Sequence, residues 1–161
     1  MLVAHCLWGQ APPSAPQAQR WVASWGASQQ VPEPQNGLPP DDLRDATVRQ
    51  IVHLSVGGSA VRVHVTNAFG TEALQFTSVH IARPLSSSSA AIDPASDRPL
   101  TFAGQPAVTV PPGAEWTSDP LDYPVLPLTD LAVTYHLDLP PARRQDIRDQ
   151  GQPPTMCTAM R

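Results

Sequence analysis

The chain has 161 residues, enough for one domain with a hydrophobic core. Its net charge of −4 does not attract phosphate backbones, which argues against a nucleic-acid partner, and no apolar run approaches the roughly 18 residues that span a membrane. The 20 prolines far exceed the average rate of about 5%. Because proline is excluded from helix interiors and central strands, this composition predicts short strands joined by proline-rich loops.

Residues 1–19 are predicted to be a degenerate signal or leader segment. The apolar stretch Leu2–Trp8 and the Pro/Ala/Gln-rich residues after it are similar to the end of a secretory signal peptide, although the basic n-region is missing and His5 interrupts the stretch. We therefore expect a secreted or periplasmic protein. Cys6 and Cys157 lie in the two end segments, so neither a disulfide framework nor a zinc site of the closely spaced Cys type is expected.

Period-two apolar spacing marks the first strands. Trp21, Ala23 and Trp25 predict one strand. Within Ala46–Asn67, apolar alternation on both sides of a Gly-Gly pair predicts a β-hairpin with one buried face.

This hairpin would place His53 opposite Arg62, with His64 as a diagonal neighbour about 7–8 Å away. A metal site would need a third ligand and closer approach, so we interpret both histidines as solvated or hydrogen-bonded and expect no metal and no cofactor.

Further strands are predicted along the chain. Leu74 and Phe76 keep one phase while Val79 and Ile81 keep the other, which predicts a bulge near Thr77-Ser78. Two more strands are predicted at Val108–Val110 and Leu131–Leu137, and one helical turn fits within Asp41–Val48. The regions between the strands that are rich in proline, serine and aspartate are predicted to be loops: Gln29–Leu43, Ser86–Arg98 and Pro111–Pro127.

Six to eight short strands at this spacing predict an all-β fold, an antiparallel β-sandwich of jelly-roll type with proline-rich loops, over residues 20–142.

A resemblance to a known family extends from Trp21 to about Leu137. In order and spacing, six segments are similar to the N-terminal β domain of bacterial two-domain GDSL/SGNH-type esterases: Trp21–Gly26, Asp45–Gly58, Val61–Gly70, Leu100–Gly104, Ser118–Pro120 and Leu131–Tyr135. The resemblance implies an accessory domain that precedes an α/β hydrolase domain. That hydrolase domain carries its nucleophile in a Gly-Asp-Ser motif and its His base near the C-terminus. This chain has no Gly-Asp-Ser and no Asp-x-x-His near its end.

The expected function is therefore that of a non-catalytic N-terminal fragment of a secreted carboxylic-ester hydrolase acting on acylated carbohydrate or small esters. Its expected partner is the missing SGNH catalytic domain, and no residue of the chain is assigned a catalytic role. The alternative is a free-standing carbohydrate-binding module, which needs an exposed aromatic platform and has carbohydrate as its partner.

Residues 143–161 are predicted to be a frame-shifted, disordered tail. The polar, Gln/Arg-rich sequence has no apolar period, so residues after about Ala142 are expected to lack strand pairing. Back-translated from Arg144 and read from the third base of the first codon, the tail gives T-G-H-P-G-S-R followed by the strand-like run T-T-Y-H-V-H. The family continues with such a sequence, and we expect the coding DNA to continue into a Gly-Asp-Ser block in that frame. The alternative is a natural disordered tail.

Ligand or interface contacts are considered for a few residues. Trp21, Trp25 and Trp116 have rings that can stack on sugars, although core or inter-domain packing is the preferred interpretation. Asn67 fits either turn chemistry or an interface with the catalytic domain. Arg49 is interpreted as a member of a structural ion pair with an aspartate.

Two further charged residues of the resembling segments, Asp45 and Asp119, also have a structural ion pair as the default interpretation. The run Ser86–Ser89 is interpreted as a loop, and no local motif supplies a catalytic triad.

Overall fold

The computed structural model describes residues 20–28, 40–139 and 156–160. The predicted leader and most of the predicted tail lie outside these residues. In the described part, short 3-10 helices form at Pro40–Leu43 and Pro94–Ser96. The strands of this part are β1 (Val22–Trp25), β2 (Ala46–Leu54), β3 (Gly58–Thr66), β4 (Leu74–Phe76), β5 (Ser78–Ala82), β6 (Arg98–Pro99), β7 (Val108–Val110), β8 (Glu115–Thr117), β9 (Leu121–Val125), β10 (Thr129–Leu137) and β11 (Met156–Met160).

These strands form three antiparallel sheets. The first has the order β1-β11-β3-β8, and β9 also pairs with β3. The second has the order β2-β10-β5-β6, and the third is the pair β4-β7. The predicted all-β antiparallel fold is confirmed, whereas jelly-roll connectivity stays a prediction.

One hydrophobic core unites the sheets. Alternate residues of each long strand point inward, as their burial shows, because successive side chains of a strand face opposite ways. The core draws on all three sheets and includes Val52, Leu54, Val61, Val63, Val65, Phe76, Val110, Leu131, Val133 and Tyr135. The architecture is therefore sandwich-like.

The predicted hairpin is wrong, although both of its strands exist. β2 pairs with β10 in the second sheet, and β3 pairs with β11, β8 and β9 in the first. The link between them passes from one sheet to the other at the surface, where the N–H of Ser55 donates to the carbonyl of Ser24 at 3.1 Å. At Gly57 an added Cβ would lie 2.8 Å from Pro127, so the glycine permits close packing at this crossing. Period-two alternation marks a buried face but does not say which strand pairs with it.

The predicted bulge near Thr77-Ser78 is also wrong. The change of phase there marks a change of sheet: β4 pairs with β7, and β5 pairs with β10. The region Pro111–Pro127, predicted as a loop, contains β8 and β9. Every residue of β8 is exposed, so this strand lacks the usual signal of a half-buried strand. In β9, Leu121, Tyr123 and Val125 alternate toward the core, but Pro124 within the segment disfavours a strand.

The expected absence of strand pairing after Ala142 is wrong for Met156–Met160. This segment forms β11 and pairs with β3 on one side, from Met156 opposite Val65 to Met160 opposite Val61, and with β1 on the other. The strands β1 and β3 have backbone N–H and C=O groups that need hydrogen-bond partners. A short extended segment provides such partners through its own backbone, independently of its side chains. The frame-shift hypothesis itself stays a prediction.

Candidate functional site

A polar groove lies on the outer face of the second sheet, opposite the core. Its volume is about 260 Å³, and it is lined by Thr47, Arg49, Ser78, His80, Ile92, Asp97, Thr134 and His136. The register places these side chains in rows across three strands. Thr47, His136 and Ser78 form one row, and Arg49, Thr134 and His80 form the next. Residues of one row point to the same face of a sheet, which explains why side chains distant in sequence meet here.

Arg49 lies in the middle of the groove. Its Nε donates to Oγ1 of Thr134 at 2.7 Å, and its Nη1 donates to the carbonyl oxygen of Ala90. The aspartate expected as its ion-pair partner is not among its partners in the described part of the chain. Arg49 therefore joins β2, β10 and the loop before the second 3-10 helix.

His80 contacts a carboxylate at the groove. Its Nδ1 lies 3.1 Å from Oδ2 of Asp97, the residue that ends the second 3-10 helix. Both side chains are about one-third exposed. The pair is a histidine oriented by a carboxylate, an arrangement that suits binding of polar groups and proton transfer alike.

His136 has close contacts at both ring nitrogens. Oγ1 of Thr47 lies 3.0 Å from its Nδ1, while its Nε2 lies 3.2 Å from Oδ1 of Asp45 and 3.4 Å from Oδ1 of Asp138. Asp45, expected to form an ion pair, contacts this histidine through its carboxylate. Ser78 lies opposite His136 in the β5–β10 register, but both ring nitrogens of His136 already contact other groups.

The other two described histidines also lie beside carboxylates. Nδ1 of His53 is 2.7 Å from Oδ1 of Asp130, and Nε2 of His64 is 3.1 Å from Oε2 of Glu115. The interpretation of both as hydrogen-bonded surface histidines agrees with these contacts. The predicted pairing of His53 with Arg62 is wrong, because their strands lie in different sheets.

The three candidate tryptophans have different surroundings. Trp25 packs against the core, and Arg62 stacks over the ring of Trp21 with its Cζ 4.4 Å from the centroid. The spacing of Trp21 and Trp25 alone would place both rings on one face of a strand. The register of β1 shifts between Ala23 and Trp25, and the two rings have different neighbours. Trp116 lies on β8 opposite Val65 and is 42% exposed.

Asn67 is buried and holds a loop together. Its Nδ2 donates to the carbonyl oxygens of Glu72 and Val110 at 2.8 and 2.9 Å. Its own carbonyl accepts from the N–H groups of Gly70 and Gly113. Of the two alternatives for this residue, turn chemistry is the one its contacts support.

Asp119 holds a second loop, in which Ala103 and Gly104 have positive φ values of 52° and 78°. Oδ2 accepts from the N–H of Gly104 and from the hydroxyl of Thr101, both at 2.7 Å, and Oδ1 accepts from the N–H of Ala103 at 3.2 Å. These hydrogen bonds, that from Gly104 first, lower the pKa of Asp119 because they favour the ionised carboxylate.

The lowered pKa predicts a pH dependence of stability. Asp119 is expected to stabilise the fold fully above its unfolded pKa of about 3.9, and this contribution is lost as the pH falls through the lower folded pKa. The difference in unfolding free energy between wild type and Asp119→Asn should therefore be constant from pH 7 to 5 and shrink below about pH 4. Urea titrations at a series of pH values measure it. Asp42→Asn, an exposed carboxylate of the first 3-10 helix, is the control. A difference that stays constant to pH 3 would contradict the prediction.

The groove itself escaped sequence reasoning, apart from Arg49. His80 and His136 lie on the polar side of strands whose apolar side was recognised, so their outward direction was available from the alternation. Their meeting depends on β5 and β10 being neighbours, and Asp97 reaches the groove from a loop.

No family model matches this chain, and no curated protein does. None of the described helices is long and apolar enough to cross a membrane.

Proposed function

We propose that this chain is the non-catalytic accessory β domain of an exported SGNH/GDSL-type ester hydrolase. In the full-length protein it packs beside a catalytic domain that acts on acylated carbohydrate or small esters, and it shields or shapes that site. The proposal includes jelly-roll connectivity of the sandwich and a secreted or periplasmic location.

One observation carries the proposal: residues of the segments that resemble the family hold the fold together. Trp25 packs on the core, Arg49 joins two strands and a loop, and Asn67 fixes its turn. Ser118 accepts from the N–H of Val63 and Asp119 clamps its loop. Residues used in this way are those that a scaffold needs, whereas a catalytic centre needs groups left available to a substrate.

His136 of the groove supports the same conclusion. A serine nucleophile needs a histidine nitrogen within hydrogen-bond reach and a second nitrogen oriented by a carboxylate. Ser78 has His136 opposite it, but a threonine contacts one ring nitrogen of that histidine and two carboxylates contact the other.

The purified chain is therefore expected to hydrolyse neither p-nitrophenyl acetate nor p-nitrophenyl butyrate above buffer and heat-denatured blanks. Turnover that exceeds both blanks and disappears in Ser78→Ala or His80→Ala would place a hydrolase in the groove and refute the accessory function. His53→Ala is the matched control for these substitutions, since it removes a histidine–carboxylate pair that is not among the groove-lining residues.

The carbohydrate-binding alternative has support from Trp116, whose ring is exposed on β8. A glycan array measured on the same preparation distinguishes the two functions. Binding that is lost in Trp116→Ala and kept in Phe69→Ala, an exposed aromatic of a different loop, would favour the binding module. No binding to any glycan leaves the accessory function as the proposal.

A further inference from the structure

We propose that Asp45, His136 and Asp138 form a binding site for Zn²⁺ or a similar divalent transition-metal ion, independently of the accessory function. The imidazole Nε2 lies 3.2 and 3.4 Å from the two carboxylate oxygens, and the three atoms lie within 4.8 Å of one another. Metal–ligand bonds of about 2.0–2.2 Å in a tetrahedron separate neighbouring ligand atoms by about 3.3–3.6 Å. One ion therefore reaches all three atoms with small side-chain adjustments.

The backbone brings the two carboxylates together. Leu137 pairs with Ala46 at the end of the β10–β2 ladder, and the N–H of Asp45 donates to the carbonyl of Asp138 at 3.1 Å just beyond it. Like charges directly opposite each other on neighbouring strands repel and destabilise the pair. A divalent cation between them replaces this repulsion by attraction.

The histidine is oriented as a metal ligand requires. His136 lies on β10, and Asp138 follows the last residue of that strand, with its Oδ1 3.4 Å from Nε2 of His136. Oγ1 of Thr47 contacts Nδ1 at 3.0 Å and leaves Nε2 directed at the carboxylates. Metal-ligating histidines almost always have their second ring nitrogen hydrogen-bonded in this way, which fixes the tautomer and the ring plane.

The donor types select the class of ion. An imidazole with two carboxylates suits zinc and its neighbours in the first transition series, whereas Mg²⁺ and Ca²⁺ prefer oxygen ligands alone. Three protein ligands leave a fourth position of a tetrahedral ion for water. The site thus resembles an open zinc site in its ligand count.

Calorimetric titration of the full chain with ZnCl₂ after dialysis against EDTA tests the site. The chain carries Cys6→Ser and Cys157→Ser, because free thiolates bind zinc themselves. We expect one Zn²⁺ per chain and no measurable heat with MgCl₂. Affinity should fall at least about tenfold in Asp45→Asn and Asp138→Asn, and about tenfold in Thr47→Val, because loss of an orienting contact typically costs 10–100-fold.

Two features keep the test decisive. The side chain of Asp45 is 88% exposed, so Asp45→Asn reports on the site even if a His136 variant fails to fold. His53→Ala is the matched control, because His53 also contacts a carboxylate, but that of a single residue, Asp130, rather than two. Absence of one-to-one binding, full affinity in the Asp45→Asn, Asp138→Asn double variant, or an equal loss in His53→Ala would each overturn the proposal.

Discussion

Replacing Tyr135 by alanine is expected to lower the free energy of unfolding by about 3–5 kcal/mol, as for other large aromatic side chains removed from a core. Tyr135 is wholly buried on β10, and its ring packs edge-to-face with Phe76 of β4, with the centroids 5.2 Å apart. The substitution therefore opens a cavity between two sheets and removes an aromatic pair. Urea denaturation measures the loss.

The matched variant is Tyr135→Phe, which keeps the ring. Burial raises the pKa of Tyr135 well above its ordinary value, and its hydroxyl has no hydrogen-bond partner in the described part of the chain. A buried hydroxyl without a partner costs about 1–3 kcal/mol, so phenylalanine should be as stable as tyrosine or more so by about 1 kcal/mol. A clear loss of stability in Tyr135→Phe would mean that the hydroxyl has a partner.

Asn67→Ala is expected to destabilise the chain by about 2–4 kcal/mol, because two carbonyl oxygens, those of Glu72 and Val110, lose their donor. Gly70→Ala should have a similar effect, since its Cβ would lie 1.7 Å from Oδ1 of Asn67 and force that side chain out of the turn. Thermal and urea unfolding measure both variants.

Thr71→Ala is the control in the same loop, because Thr71 is exposed and its loss should change stability by less than about 0.5 kcal/mol. The comparison also separates the two interpretations of Asn67. An Asn67→Ala protein as stable as wild type would show that the residue is not needed by the turn and would return it to the interface interpretation.

The sequence alone determined the fold class and much of the core. Period-two alternation identified β2, β3, β7 and β10, and its apolar positions, such as Val52, Val63 and Val133, are buried. It also identified the polar side of these strands. The physical reason is that burial of one face is a property of each strand by itself, encoded in its own side chains.

Only the tertiary structure decided which strands are neighbours. Backbone hydrogen bonds are the same for every partner, so the apolar pattern of β2 and β3 fits a hairpin as well as the crossing between sheets that occurs. The phase change at Thr77 likewise fits a bulge or a change of sheet. β8, β9 and β11 all pair with the long β3, so each of these short strands depends on a neighbour that is distant in sequence.

The groove and the proposed metal site were likewise decided by the tertiary structure. Asp45 and His136 are 91 positions apart, and their contact depends on the nine-residue register between β2 and β10. Asp97 reaches His80 from a 3-10 helix that no periodicity marks. The sequence therefore shows which chemical groups are present on the polar side of each strand. Which of these groups come into contact depends on long-range packing, because several sets of strand pairs satisfy the local sequence pattern equally well.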